Sequence, residues 1–352
     1  MTWYNTMMTD RKLRCAVVGV GRMGRHHARL YAQEPGAEFV GVVDSNADNA
    51  RKVLEEWGGR QFGSVDELLR SGVDAVTIAT PTSHHRAAAE PLLAAKVACL
   101  IEKPLAPDAD SARAIAQAAE KSGAVLQVGH VVRYDPVMRA IRAIEGLHPR
   151  FIEMIRISPM TFRSVDVGVV LDMMIHDLDL LMMLLNREPV EVHASAVSVL
   201  GEAEDVCNAR LVFELDNNDE TCVANVTASR LALKTERKIR IISESAYVSA
   251  DFVARSGTVV RRSANDAQLA DLRARLKAGE DLSSTNYLEL VRVEALQVSP
   301  AEPLKLQMED FLGAIRSGRR PTVDAQAGFA AVRTAERIVE SAKRGGRTQL
   351  KS

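Results

Sequence analysis

A glycine-rich turn between an apolar run and a helical one restricts the fold of this 352-residue chain more than any other feature. Residues 14–19 read as a short strand buried on both faces, and Arg22–Gln33 read as a helix. Between them, Gly19-Val20-Gly21-Arg22-Met23-Gly24 spells G-x-G-x-x-G. In a strand–turn–helix context each glycine has a mechanical reason. Gly19 permits the tight turn, Gly21 lets the backbone approach a pyrophosphate, and Gly24 lets helix and sheet pack closely. The helix N-terminus then stabilises the diphosphate. Asp44 closes the next apolar run, 20 residues after Gly24 (44 − 24). A carboxylate there accepts hydrogen bonds from an adenosine ribose and repels a 2′-phosphate, which predicts NAD rather than NADP.

The same alternation continues. Apolar runs at Phe39–Asp44, Ala75–Thr80, Ala98–Glu102 and Val125–Gly129 are separated by helical segments at His84–Ala95 and Asp108–Ser122. Strands and helices in this order imply right-handed crossovers and a doubly wound parallel sheet. After about residue 135 the texture changes to a helix, Asp135–Glu145, and long extended runs. These are Phe151–Ile157, Val190–Leu200, Asn208–Leu215, Thr221–Ser229, Lys238–Ser245 and Gly257–Arg262, several alternating polar with apolar. That pattern suits an antiparallel sheet with one covered face. Asp266–Ala278, Leu304–Arg316 and Ala325–Lys343 read as helices. The expected organisation is α/β: a doubly wound dinucleotide-binding domain at 1–135, then an α+β domain at 136–352 with a large, mostly antiparallel sheet.

Composition narrows the function. The formal net charge of −1 leaves no basic footprint for nucleic acid or an anionic membrane. No run of 18 apolar residues is free of charge, so no membrane span is expected. The first ten residues lack a basic segment and a continuous apolar core, so no signal peptide is expected. Cys15, Cys99, Cys207 and Cys222 are scattered through apolar runs without metal or redox spacing. They read as buried reduced thiols of a cytoplasmic protein.

The chemistry concentrates in a polar stripe on an apolar helix. Residues 168–185 are nearly all Leu, Met, Ile or Val, except that Asp172, His176 and Asp179 share one helical face. Burying unpaired carboxylates costs several kcal/mol each, so the stripe lines a polar cavity or forms a tightly paired network. His176 titrates in the range of a general base. Asp172, one turn earlier, could orient its ring, while Asp179 reads as structural. Thr80-Pro81-Thr82-Ser83-His84-His85 and Glu102-Lys103-Pro104 follow two of the parallel strands, where ligands bind in open α/β sheets. Lys103 could stabilise developing alkoxide charge, or exchange roles with His176 and act as the base. No third and fourth ligand accompany the Asp–His spacing, so no metal is predicted. Arg156, Arg163 and Arg230 are either solvated or available to an anionic substrate.

Together these pieces resemble the Gfo/Idh/MocA family of dehydrogenases. The residues that carry the likeness are Gly19–Gly24, Asp44, Ala79-Thr80-Pro81 with His85, Glu102-Lys103-Pro104, Gly129 with Arg133-Tyr134-Asp135-Pro136, and Asp172-x-x-x-His176-Asp177-x-Asp179. The resemblance implies a catalytic trio of Lys103, Asp172 and His176. It implies cofactor contacts by Gly19, Gly21, Arg22, Met23, Gly24, Asp44, Thr80, Pro81, His85, Glu102 and Lys103. Substrate contacts are expected from Lys103, Arg133, Tyr134, Arg163, Asp172 and His176. It also implies dimers or tetramers formed through the open sheet face. Tyr134 stands where phenylalanine is frequent, and Asp266–Leu282 is an insertion. The stretch Arg156–Asp172, with Pro159, Phe162, Arg163 and Asp166–Leu171, is similar to enzymes that oxidise the 3-hydroxyl of UDP-N-acetylglucosamine. The expected function is therefore an NAD-dependent oxidoreductase acting on a ring alcohol of a sugar or nucleotide sugar. The competing readings are an NAD-dependent glycoside hydrolase of the same family and a non-catalytic nucleotide-binding sensor.

Overall fold

The computed structural model describes residues 11–161, 167–215, 220–283, 285–345 and 348–349. The chain divides into two compact units, one of residues up to Tyr134 with Glu302–Arg337, the other of Asp135–Ala301 with residues from Ile338 onward.

The first unit contains a six-stranded sheet, all of whose pairings are parallel. Its strands are β1 (Leu13–Val18), β2 (Ala37–Val43), β3 (Arg60–Phe62), β4 (Ala75–Ile78), β5 (Ala98–Glu102) and β6 (Leu126–Gly129), in the order β3-β2-β1-β4-β5-β6. Strand order reverses between β1 and β4, the point beyond which α/β sheets bind ligands. The crossover helices are α1 (Gly24–Gln33), α2 (Ala47–Trp57), α3 (Val65–Arg70), α4 (His85–Ala94) and α5 (Ala109–Ser122). Helices α2 and α3, and the three-residue β3, were not anticipated from apolar periodicity. Their end signals were nevertheless present: Asn46 caps α2 and Ser64 caps α3 through side-chain hydrogen bonds.

The first unit ends at Tyr134 and takes in Glu302–Arg337 as well, a stretch that the sequence reading places in the second domain. Helix α9 (Pro303–Ser317) belongs to the first unit. Its Met308, Phe311 and Leu312 share one buried cluster with Leu13, Cys15, Val17, Leu30 and Tyr31. Gln127 donates to the Gln307 carbonyl at 2.9 Å, and Arg316 to the Gly36 carbonyl at 2.6 Å. The returning chain also pairs with the outer edge of β6, where the Val128 amide meets the Val323 carbonyl at 2.9 Å. An apolar helix face and an unpaired strand edge both require cover, and residues 302–337 supply it.

The second unit holds a nine-stranded, mostly antiparallel sheet. After α6 (Pro136–Arg142) it comprises β7 (Pro149–Ile157), β8 (Glu191–Ser198), β9 (Val206–Glu214), β10 (Thr221–Ser229), β11 (Glu236–Ser243), β12 (Ala246–Asp251), β13 (Ser256–Arg262), β14 (Val291–Ala295) and β15 (Thr348–Gln349). Strand β7 lies at the centre, parallel to β10 and antiparallel to β11. Ile152, Met154, Leu211, Val226, Ile239 and Ile241 are buried on one face. Tyr247, Ile242, Arg240 and Arg210 on the other face are exposed. The alternation follows from the two-residue period of a strand with one covered side. Helix α7 (Ile175–Leu185) packs near β7, and α8 (Asp266–Lys277) lies between β13 and β14.

Phe311→Ala is expected to destabilise the first unit by about 3–5 kcal/mol, although the residue lies far from it in sequence. Loss of hydrogen-exchange protection in Leu13–Val18 would report it, and unchanged protection there would contradict the assignment of α9.

Candidate active site

The cofactor-side residues of the first unit lie at the carboxyl ends of β1, β2, β4 and β5. Gly19 has φ +84°, and a Cβ on it would stand 2.7 Å from the Thr80 amide nitrogen. A Cβ on Gly24 would overlap the Gly19 carbonyl oxygen. Both positions therefore demand glycine for the protein's own packing. Gly21 differs, because its Cβ would meet nothing within 4 Å. A glycine there leaves the backbone open to a close-approaching ligand. Helix α1 begins just beyond, with no side-chain cap and no acidic residue in its first turn, whereas Asn46, Ser64 and Asp108 cap other helices of this unit. Arg22 is exposed and Met23 half-buried at this turn. These features fit an incoming diphosphate.

Asp44 is fixed by two backbone amides. Val20 donates to Oδ2 at 2.6 Å and Asn46 to Oδ1 at 2.7 Å. Each oxygen keeps a lone pair available for a ribose hydroxyl. Thr80 presents a buried Oγ1 with no hydrogen-bond partner among the described residues, and Pro81 beside it is exposed. His85 stands behind this loop rather than on its surface. Its ring is 1% exposed, with Nε2 at 3.0 Å from the Thr80 carbonyl and Nδ1 at 3.0 Å from that of Pro104. Burial depresses its pKa, against the pull of those carbonyls. His85 thus ties the loop after β4 to the segment that carries Lys103.

Glu102 also faces inward. It accepts a 2.8 Å hydrogen bond from the fully buried His27 of α1, a residue the sequence reading passed over. Burial pushes the Glu102 carboxyl up, but the His27 hydrogen bond and the neighbouring His27 and Lys103 groups outweigh it, leaving the pKa below the usual carboxylate value. Lys103 is half-buried. Arg133 and Tyr134, expected at the substrate, are committed inside the first unit instead. Arg133 donates to the Thr322 carbonyl at 2.9 Å, and the Tyr134 hydroxyl to Asp310 at 2.8 Å.

In the second unit the polar stripe divides by depth. Asp172 and His176 are half-buried, while Asp179 is fully buried. The regular helix expected over 168–185 is replaced at its start by a π-helical turn, Val170–Met174, which contains Asp172. The Ile175 amide reaches back five residues to the Val170 carbonyl. Such widened turns are frequent at functional sites. Glu204 holds the entry: its carbonyl accepts from the Val169 amide at 2.9 Å and its carboxylate from the Val170 amide at 3.2 Å. A Cβ on Gly168 would overlap that carboxylate. Asp205 and Arg230 complete the latch. Arg230 donates to Asp205 at 2.6 Å and to the Val167 carbonyl at 2.8 Å.

Arg156 and Arg230 are therefore not available to an anionic substrate. Arg156 is 6% exposed and grips both oxygens of buried Asp177, with contacts of 2.6–3.1 Å. Arg163, Phe162 and Asp166 lie outside the described residues. A cation that sequence reading missed is Arg237, which sits directly opposite Arg156 in the β7–β11 register. Its guanidinium has no hydrogen-bond or ion-pair partner among the described residues. Partial desolvation and the charge of Arg156 lower its pKa, although the side chain remains solvent-exposed. Only strand pairing, not spacing along the chain, places it there. The four cysteines are free and buried. Among the described residues no three potential metal ligands cluster, and no helix is long and apolar enough to cross a membrane.

Comparison with known proteins identifies the family. Residues 13–130 match the model of the oxidoreductase family with an NAD-binding Rossmann fold, and residues 141–249 match the GFO/IDH/MocA C-terminal domain. The chain belongs to the GFO/IDH/MocA oxidoreductase family. Over 316 residues it is 37% identical to UDP-N-acetylglucosamine 3-dehydrogenase of Acidithiobacillus ferrooxidans, covering 90% of this chain and 93% of that protein. A solved structure of that enzyme superposes with TM-score 0.82 at 35% identity, over 95% of this chain and 98% of the other. Inositol 2-dehydrogenase of Rhizobium meliloti is 28% identical over 68% of this chain and 76% of its own length. Levoglucosan dehydrogenase, with NADH and levoglucosan, shares the fold at TM-score 0.79 and 17% identity, over 96% of this chain and 98% of its own. The chain is thus a dehydrogenase of an oxidoreductase family with an NAD-binding Rossmann fold.

The Asp205 pKa is pushed up by burial but drawn lower overall by the Leu200 and Val199 amides and Arg230. Its folded value lies below its unfolded one, so its stabilising effect is present above the ordinary carboxylate pKa and is lost as pH falls. Asp205→Asn should cost about 3–5 kcal/mol near neutral pH, because it removes the buried carboxylate that Arg230 and the Val199 and Leu200 amides all donate to. Urea unfolding should show the gap from wild type narrowing below about pH 4. A gap independent of pH would contradict this account.

Proposed function

We propose that this protein is an NAD-dependent dehydrogenase that oxidises the 3-hydroxyl of UDP-N-acetylglucosamine. The observation that carries the substrate is the 37% identity to an enzyme of that name over nine-tenths of the chain. The preference for NAD rests on Asp44, whose carboxylate is pinned by Val20 and Asn46 where a 2′-phosphate would have to sit. Bound NAD supplies the hydride acceptor.

The chain's own residues divide the remaining work. His176 takes the hydroxyl proton, and Asp172, one turn earlier, orients its ring. Lys103 stabilises negative charge on the substrate oxygen as the proton leaves. The latch of Glu204, Asp205 and Arg230 holds the widened turn that carries Asp172. Arg237, an exposed cation with no hydrogen-bond or ion-pair partner among the described residues, is assigned to the substrate diphosphate. The free buried cysteines support a cytoplasmic setting. The open sheet face, with Ile242 and Tyr247 exposed, is assigned to self-association as a homodimer or homotetramer.

His176→Ala should lower kcat for NADH formation from UDP-N-acetylglucosamine by at least about a hundredfold, the lower range of general-base contributions. A fully active variant, or release of free sugar without net NADH, would refute the reading. Light scattering coupled to gel filtration tests the assembly. A mass near 38.4 kDa, that of one chain, would exclude it.

A further inference from the structure

Three elements of the first unit close on one carboxylate. Glu102, the last residue of β5, is 8% exposed. His27 on α1 is fully buried and meets Glu102 Oε1 at 2.8 Å through Nε2. The Lys103 amide donates to Oε2 at 3.3 Å. At the end of β6, Gly129 leaves the space that a Cβ would take 2.9 Å from the same oxygen. Glu102 can only accept, so the His27 nitrogen facing it carries a proton, while Nδ1 has no hydrogen-bond partner among the described residues. The hydrogen-bonding capacity of His27 is thus directed to Glu102 alone.

A carboxyl in such surroundings ordinarily becomes neutral. Here its donors outweigh burial and keep it ionised, with His85 and Lys103 as the other titratable groups it faces. The anion sits at the carboxyl edge of the sheet, the edge that receives a dinucleotide. There Lys103 alone would repel an oxidised nicotinamide ring, which carries a positive charge that the reduced ring lacks.

We propose that His27 is a positioning residue that fixes Glu102 as a buried anion, and that this anion biases the protein toward oxidised over reduced cofactor. Both cofactor forms present the same diphosphate and riboses, so contacts from the glycine turn and Asp44 cancel in the ratio of their affinities. The charge of the ring does not cancel. The inference concerns cofactor binding alone and stands apart from the identity of the sugar.

The test is calorimetric titration of the full-length protein with NAD+ and with NADH, without sugar, reading the ratio Kd(NADH)/Kd(NAD+). Glu102→Gln and His27→Leu should each lower this ratio about tenfold, mainly by weakening NAD+, as expected for one charge pair at an effective dielectric of about 20. His27→Gln, whose amide still donates, should recover much of it. Gly21→Val should weaken both forms alike and leave the ratio in place. An unchanged ratio in folded Glu102→Gln overturns the proposal. A lowered ratio in Glu102→Gln with none in folded His27→Leu overturns the role of His27. Should His27→Leu fail to fold, a His27→Gln ratio as low as that of Glu102→Gln overturns that role too, and a recovered ratio supports it.

Discussion

No side chain fits between the first strand and the helix that follows it, and the first unit is organised around that approach. Gly24 lies so close to the Gly19 carbonyl that a methyl group cannot be inserted, and a Cβ on Gly19 would crowd the Thr80 amide at 2.7 Å. This contact directs the uncapped start of α1 toward the carboxyl edge of the sheet, beside Asp44. It also brings His27, one turn into the same helix, against Glu102. The uncapped helix start and the buried charge behind Lys103 are consequences of one backbone constraint.

In the second unit the governing interactions are buried ion pairs rather than backbone contact. An irregular widened turn leaves its first amides without helical partners, and such groups are costly when buried. Glu204 accepts from them, and Asp205 with Arg230 fixes the chain just before. Arg156 and Asp177 anchor the residue next to His176 to the central strand. These pairs place Asp172 and His176 on a rigid support. They explain why charged residues survive in so apolar a segment, where removing one partner would strand the other.

Much of this was legible in the chain. The glycine turn, Asp44 and Glu102-Lys103-Pro104 announce themselves because their roles depend on local backbone geometry, which spacing encodes. Strand Thr221–Ser229 and the helix Asp266–Lys277 were visible for a similar reason, since periodicity reports one covered face or a capped end. Other residues were misread because their partners are distant in sequence. Arg156 and Arg230 look like surface arginines until a helix packed near β7 brings Asp177 to the first and β9–β10 pairing brings Asp205 to the second. Tyr134 looks like a site residue until Asp310 arrives on a helix nearly two hundred positions later. Helix α9 carries the same apolar stripe wherever it docks, so only packing could assign it to the first unit.

By itself, then, the sequence determined the parallel dinucleotide fold and the helix that bears Asp172 and His176. Each rests on short-range rules of sterics and periodicity. Tertiary structure decided which charges are neutralised, which remain available and where the returning chain packs. His27 was paired with Glu102, Arg156 with Asp177, and Arg237 was set opposite Arg156 in the sheet. Those outcomes depend on burial and on partners across strands, and neither is a property of neighbours along the chain.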